Sequence, residues 1–272
     1  MRAWIFLLAY GGLSAANWKA DVVFRATFDK STDAAIGAGD RRLYTAPAGY
    51  KGQASAQPGL AGAPVRHEPK AGRRGGGALR FTAKNEAAVF YQAQGNVPFD
   101  PKNWSGTISF WLKLDPDQEL APGYCDPLQV TDKAYNDSAI WVDFTKDDKP
   151  RHFRLGVFGA LSEWNPQKLD PDKNPGFDRR LVVVKKPPFA RDRWTHIAIA
   201  YQGLGSGSGV ARLYVNGVEQ GATPPIAEGF AWDRSLGALR LGVNYVGLFD
   251  DLAVFRRPLT AQEIGQLASG RW

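Results

Sequence analysis

Residues 237–267 read GALRLGVNYVGLFDDLAVFRRPLTAQEIGQL and carry the most informative pattern of secondary structure in the chain. Apolar side chains alternate with small or polar ones on both sides of Asn244, which predicts two β-strands. A turn starting at Pro258 follows the second strand. Thr260 and Glu263 have the spacing of a capping box, so we expect one short helix to begin there.

The composition agrees with a fold made of strands. The chain has 272 residues, of which 44% are hydrophobic, and it contains 30 Gly and 18 Pro. This apolar content suffices for a packed core, and the Gly and Pro content suits many short strands joined by turns. The composition and periodicity therefore predict an all-β protein.

Two further motifs lie upstream in the same order as in a known family. They are TISFWLKL at residues 107–114 and WTHIAIA at residues 194–200. Together with residues 237–267, they resemble the laminin-G-like, concanavalin A-like jelly-roll domains of the lectin and glucanase group. The resemblance implies a two-sheet antiparallel β-sandwich with one short C-terminal helix, and a single domain over residues 17–272.

The N-terminus has the pattern of an export signal. Arg2 precedes an apolar run over residues 3–10, and small residues follow as far as Ala16. This predicts a signal peptide at residues 1–16 and a secreted or periplasmic protein. The run is too short to span a bilayer, so no membrane span is expected. Cys125 is the only cysteine, which excludes an intrachain disulfide.

The formal net charge of +7 favours an anionic partner. Nucleic acid is not expected, because the chain carries an export signal and its basic residues are scattered. We expect the partner to be a polysaccharide or another glycan, and the charge favours an acidic one.

Period-two alternation divides each strand into a core side and an outer side. The predicted core residues are Ile108, Phe110, Leu112, Ile197, Ile199, Leu213, Val215, Leu252 and Val254. The outer sides carry aromatic, basic and acidic residues that suit a sugar-binding groove, since rings stack on sugars and charged groups bind hydroxyls or carboxylates. The predicted ligand-binding residues are Trp111, Trp141, Asp143, Arg154, His196, Arg212 and Tyr214. Long insertions at residues 116–137 and 161–179 are further candidates for binding loops.

Catalytic signatures are weak in this sequence. The closely spaced acids of glucanases on this fold are missing, and the three histidines lack the spacing of metal ligands. A non-catalytic carbohydrate-binding or surface-interaction module is therefore the favoured prediction. A polysaccharide lyase is still possible, with His196 or Tyr214 as base and Arg212 neutralising a carboxylate. Two further alternatives are a divergent glycoside hydrolase and an adhesive domain that binds a protein partner.

The resemblance also implies a structural calcium ion between the first and last strands. Asp29 ends the first predicted strand, and Asp250 lies in the last. Carboxylate oxygens are the ligands that calcium prefers, so these two residues are the predicted metal ligands.

Overall fold

The computed structural model of the protein describes residues 18–47, 49–85 and 87–271. The predicted signal peptide at residues 1–16 lies outside the described residues. Within them the chain forms the following strands: β1 (Val22–Ala26), β2 (Ile36–Gly37), β3 (Tyr44–Ala46), β4 (Gln57–Pro58), β5 (Val65–Glu68), β6 (Ala78–Phe81), β7 (Ala88–Gln92), β8 (Trp104–Lys113), β9 (Cys125–Thr131), β10 (Ala139–Phe144), β11 (Phe153–Phe158), β12 (Leu181–Val184), β13 (Thr195–Leu204), β14 (Val210–Val215), β15 (Val218–Ala222), β16 (Ala238–Val243) and β17 (Gly247–Phe255).

Short helices connect or flank these strands. The α-helices are α1 (Pro116–Glu119), α2 (Leu161–Trp164), α3 (Pro175–Asp178) and α4 (Ala261–Ala268). Short 3₁₀-helices occupy Trp18–Asp21, Tyr50–Ser55 and Pro171–Lys173. No helix in the described part of the chain is long and apolar enough to cross a membrane.

The strands pair antiparallel in two sheets. The first sheet has the order β15-β14-β13-β8-β17-β1-β2, with β6 also beside β17 and β5 beside β6. The second sheet has the order β12-β11-β10-β9-β16-β7-β3-β4. This architecture confirms the predicted β-sandwich with a short C-terminal helix.

The core lies between the sheets and follows the alternation along the strands. On β8, Ile108, Phe110 and Leu112 have no exposed surface. The ring of Phe110 stacks on that of Phe249 at 5.1 Å between centroids. All nine residues predicted for the core lie in one buried apolar cluster: Ile108, Phe110, Leu112, Ile197, Ile199, Leu213, Val215, Leu252 and Val254.

The turn after β14 has the geometry that its sequence favours, and the predicted start of the last helix is confirmed. Asn216 and Gly217 join β14 to β15, and both have positive φ (51° and 80°), as a type I′ turn requires. The Thr260 hydroxyl accepts the Glu263 N–H, and the Glu263 carboxylate accepts the Thr260 N–H. The capping box therefore fixes where α4 begins.

Helix α4 packs on the outer side of the first sheet. Its Ile264 and Leu267 join a buried cluster with Ala198 and Ala200 of β13. The alanines leave room for the helix to approach the strand. As a result, part of the outer face of the first sheet is a second apolar core.

Candidate functional site

The predicted groove residues are divided between the two sheets. One group lies on β8, β13 and β14 of the first sheet: Trp111, His196, Arg212 and Tyr214. The other group lies on β10 and β11 of the second sheet: Trp141, Asp143 and Arg154. The prediction of one shared face is wrong, because alternation assigns a residue to one side of its strand but not to a sheet.

Three side chains of the first group, those of Trp111, His196 and Tyr214, are buried. His196 has no exposed surface, and its Nε2 hydrogen-bonds Ser109 Oγ at 2.8 Å. Trp111 is 6% exposed, with the Arg73 guanidinium 4.1 Å from its ring centroid. Burial, with a smaller effect of Arg73, lowers the pKa of His196 to about 3. This imidazole is neutral and shielded from solvent, so it is not placed to take a proton from a ligand.

Tyr214 and Arg212 are engaged by a neighbour on β15. Tyr214 is buried beside α4, and its hydroxyl donates to Glu219 Oε2 at 3.0 Å. Arg212 is exposed and donates from Nη1 to Glu219 Oε1 at 2.9 Å. Glu219 therefore engages both the Tyr214 hydroxyl and the Arg212 guanidinium, which the lyase prediction requires to face a substrate.

The second group lines a pocket on the outer side of the second sheet. The pocket has a volume of about 170 Å³. Its lining residues combine four aromatic rings with two acids and one arginine: Tyr124, Asp126, Tyr135, Trp141, Asp143, Arg154, Pro171 and Phe177.

Trp141 forms the aromatic wall of this pocket. It is 1% exposed, and its ring stacks on Phe158 at 5.8 Å and on Phe177 at 6.4 Å between centroids. Phe177 belongs to α3 in the second long insertion, which folds over the strand. Trp141 Nε1 is buried without a hydrogen-bond partner in the described structure. The wall is thus rigid and retains one unused donor.

An ion pair forms the polar part of the pocket. Asp143 and Arg154 are direct partners in the β10–β11 register. Arg154 Nε donates to Asp143 Oδ1 at 2.8 Å, and Nη2 donates to Oδ2. The guanidinium carbon lies 5.0 Å from the Tyr124 ring centroid and 5.7 Å from that of Trp141. The guanidinium therefore lies within cation–π distance of both rings.

A second acid adds an acceptor beside the ion pair. Burial and the charge of Asp143 raise the pKa of Asp126, while a hydrogen bond from Gln129 opposes the rise. Burial also raises the pKa of Asp143, against the effect of Arg154. The pocket combines ring faces with acceptors and a guanidinium, which suits a ligand that has both an apolar face and a polar edge.

Several pocket residues were missed by the sequence reasoning, namely Tyr124, Asp126, Tyr135 and Phe177. The first predicted insertion contains the strand β9, which carries Asp126, so the prediction of one long loop at residues 116–137 is wrong. Tyr124 and Tyr135 lie in the loops on either side of β9, and Phe177 lies on α3 in the second insertion. The length of the insertions was the available signal. Loops lack the periodicity that assigns individual side chains to a face.

Asp250, one of the two predicted calcium ligands, already accepts two backbone hydrogen bonds. Asp250 Oδ1 accepts the Asp251 N–H, and its Oδ2 accepts the Arg73 N–H, both at 2.8 Å. Arg25 and Arg73 also pair with Asp251. Burial and the charges of Asp251 and Asp29 raise the pKa of Asp250 to about 7, against the Arg73 N–H.

The charge of Asp29 acts on Asp250, so the two carboxylates lie within electrostatic reach of each other. No group of three or more His, Cys, Asp or Glu side chains in the described ranges forms a metal cluster. Calcium usually takes six or more oxygen ligands, so backbone carbonyls and water would have to supply most of them here. Calcium binding stays a prediction.

Solved structures with the same architecture include carbohydrate complexes. Domain 4 of AbnA, an extracellular arabinanase from Geobacillus stearothermophilus in complex with arabinotriose, is 15% identical, with a TM-score of 0.56. The match covers 91% of this chain and 98% of that domain.

The ligand binding domain of botulinum neurotoxin serotype D, in complex with N-acetylneuraminic acid, is 10% identical, with a TM-score of 0.56. The match covers 92% of this chain and 51% of that one. The chain thus spans about half the length of this neurotoxin domain. At these identities the likeness establishes the fold alone.

No curated protein sequence matches the chain. A family model does match it, over residues 90–265, which is more than half of its length. That segment includes β8, β13, β17 and the pocket strands β9 to β11. The chain is a member of the Laminin_G_3 family, in the concanavalin A-like lectin/glucanases superfamily.

Proposed function

We propose that the chain is a carbohydrate-binding module and that it binds glycan at the aromatic pocket of the second sheet. The observation that carries this proposal is the Arg154 guanidinium, which lies 5.0 Å from the Tyr124 ring centroid and 5.7 Å from that of Trp141 and is fixed by Asp143. Sugars present apolar ring faces and hydroxyl edges, and this pocket offers rings, carboxylates and a guanidinium within one small volume.

The fold neighbours support the same class of function. One was solved with arabinotriose and another with N-acetylneuraminic acid. Their sequences differ too much from this chain to identify its sugar. The net charge of +7 favours an acidic glycan.

We further infer that the protein is exported and acts outside the cytoplasm. The basic start, apolar run and small residues of positions 1–16 support this inference. N-terminal sequencing of the protein from its native host should find a mature form that begins at about Asn17. An intact Met1 on protein from the cytoplasm would contradict it.

A second candidate function is glycoside hydrolysis by Asp126 and Asp143. Both acids line the pocket, and burial raises the pKa of each, which suits a general acid near neutral pH. Arg154 ties both oxygens of Asp143, which favours binding over turnover. Release of reducing ends from a polysaccharide panel, lost in Asp126→Asn, would establish catalysis.

The binding proposal is tested by calorimetric titration of neutral and acidic oligosaccharides. Tyr124 is 38% exposed, so Tyr124→Ala should keep the fold. It should weaken binding by about 0.5 to 1.5 kcal/mol, roughly two- to tenfold in Kd. Val218→Ala, an exposed apolar position on β15 of the first sheet, is the matched control and should bind normally. Absence of binding across the panel, or equal binding by Tyr124→Ala and wild type, would overturn the proposal.

A further inference from the structure

A larger cavity adjoins the aromatic pocket on the same face of the second sheet. Its volume is about 550 Å³, and Tyr135 lines both spaces. The cavity is surrounded by residues of β9, β16, the Tyr50–Ser55 3₁₀-helix and the β9–β10 connection. The ones that matter here are Tyr50, Lys51, Gln129, Lys133 and Arg240.

Arg240 is the unusual residue of this cavity. It is only 2% exposed, although it lies on the outer side of β16. Nη1 donates to the Lys133 carbonyl at 2.6 Å, whereas Nε and Nη2 have no hydrogen-bond partner in the described structure. Buried guanidinium N–H groups without acceptors are costly, so the protein keeps two strong donors unused here.

The surroundings of Arg240 are cationic and aromatic. Lys51 and Lys133 line the same cavity, and none of its described lining residues is acidic. Asp132 lies close by, since its Oδ1 is 3.8 Å from Lys133 Nζ and its charge acts on Arg240. The Tyr50 ring lies 4.9 Å from the Arg240 guanidinium carbon and covers it. Tyr50 itself is 45% exposed, so this cover lies at the surface.

The strand register connects this cavity to the aromatic pocket. Arg240 is the direct partner of Gln129, and Gln129 is the direct partner of Trp141. Arg240 and Trp141 are therefore two strand spacings apart, a distance of about 10 Å. Gln129 Nε2 donates to Asp126 Oδ2 at 2.5 Å, so a hydrogen bond spans the boundary between the two spaces.

We propose that this cavity is an anion subsite, in which Arg240 binds the carboxylate or sulfate group of an acidic oligosaccharide. Another residue of the same oligosaccharide occupies the aromatic pocket. The proposal rests on the proposed function, and it assigns the substrate class: a disaccharide or longer glycan that carries an anionic group. Binding moves the Tyr50 ring aside and gives the two unused N–H groups an acceptor.

The test measures binding of matched pairs of oligosaccharides by calorimetry. One pair is a galacturonate tetrasaccharide and its methyl ester, and the other is a sulfated tetrasaccharide and its desulfated form. The wild type should bind one acidic member about tenfold or more tightly than its neutral partner, because a charged acceptor meets free guanidinium donors. The pair that shows the preference identifies the anion as carboxylate or sulfate.

Two variants locate the preference. Arg240→Gln should bring the affinity for the acidic ligand down to that for its neutral partner, without weakening the neutral one. Lys133 lies at the half-exposed rim of the cavity. Lys133→Gln should lower the affinity for the acidic oligosaccharide by about three- to tenfold and leave the affinity for its neutral partner unchanged. This variant tests the proposal if Arg240→Gln does not fold. Arg66→Gln removes the same charge from an exposed position on β5 and should preserve the preference.

The outcomes separate this inference from the function on which it rests. Equal binding of acidic and neutral members by the wild type overturns the anion subsite and leaves the carbohydrate-binding module intact. A preference that survives in both Arg240→Gln and Lys133→Gln overturns the assignment to this cavity. Failure of every oligosaccharide to bind overturns the proposed function itself.

Discussion

The indole of Trp141 lies across Gly156, its direct partner on the neighbouring strand. A Cβ at position 156 would come within 2.2 Å of the Trp141 ring. Phe158 and Phe177 hold that ring from other sides, so it has no space to retreat. Glycine at this position is therefore what allows the aromatic wall of the pocket to lie flat on the sheet.

Gly156→Ala should destabilise the protein by about 1 to 3 kcal/mol, because the new methyl group overpacks a rigid ring. It should also weaken glycan binding by displacing Trp141. Urea unfolding measures the first effect. Gly265→Ala on α4 is the matched control, since a Cβ there meets nothing within 4 Å. That change should raise stability by about 0.5 to 1 kcal/mol; equal stability of the two variants would contradict the account of Gly156.

Trp141→Ala and Tyr124→Ala should differ in their effect on the free energy of unfolding, because only Trp141 is buried. Trp141 is 1% exposed, so its loss should cost about 3 to 5 kcal/mol of folding free energy. Tyr124 is 38% exposed, and its loss should change stability by less than about 0.5 kcal/mol. A Trp141→Ala protein as stable as wild type would show that this indole is an exposed platform and not part of a buried cluster.

Phe110→Ala should remove the centre of the sandwich core. The side chain is fully buried and stacks on Phe249, so we expect a loss of about 3 to 5 kcal/mol in chemical denaturation. Oligosaccharide affinity of the folded fraction should be retained, because Phe110 belongs to the first sheet. A cost below about 1 kcal/mol, well under the range for core aromatics, would argue against this core.

The buried His196 should make the protein less stable in mild acid. The pKa of His196 is about 3 in the folded state and 6.5 in the unfolded chain. Between pH 3 and pH 6.5, therefore, only the unfolded chain takes up a proton at this residue. The stability from this group is complete above pH 6.5 and declines as the pH falls toward 3. At pH 4 the loss should be about 3 kcal/mol relative to pH 7.

His196→Gln cannot titrate, so its unfolding free energy should change less between pH 7 and pH 4 than that of the wild type. Comparing the two proteins at both values cancels the contribution of the carboxylates. Parallel pH dependence in the two proteins would mean that the imidazole is protonated in the folded state.

Calcium at Asp29 and Asp250 should stabilise the native protein, because a ligand bound only to the folded state shifts the unfolding equilibrium. Millimolar calcium should raise Tm by several degrees over the value in excess chelator, and Asp250→Asn should abolish the difference. An identical Tm with calcium and with chelator would contradict calcium binding at Asp29 and Asp250.

The sequence was sufficient for those parts of the fold that depend on neighbouring residues. Alternation placed Ile108 and Phe110 in the core, and the Thr260–Glu263 spacing placed the start of α4. It could not place strands relative to each other, because pairing such as β8 with β13 joins residues far apart in the chain. Trp111 and Trp141 therefore read alike in sequence yet lie on different sheets.

The candidate site was only partly predictable for the same reason. Asp143 and Arg154 were chosen from their strands, but their pairing depends on the β10–β11 register. Tyr124 and Tyr135 come from the two loops on either side of β9, and no local pattern encodes the paths of these loops. The docking of α4 beside Tyr214 likewise depends on tertiary packing and not on the amphipathic sequence of the helix alone.

Helix α4 covers the outer side of the first sheet, whereas the aromatic pocket lies on the outer side of the second, so the two are on opposite faces of the protein. Gln262 is exposed on α4, on the side of the sandwich opposite the aromatic pocket. Immobilised through a cysteine introduced at Gln262, the molecules would stand on a sensor surface with their pockets directed into the solution. The same orientation would array many pockets side by side, so that a long polymer could bridge neighbouring copies and dissociate far more slowly than a short oligosaccharide.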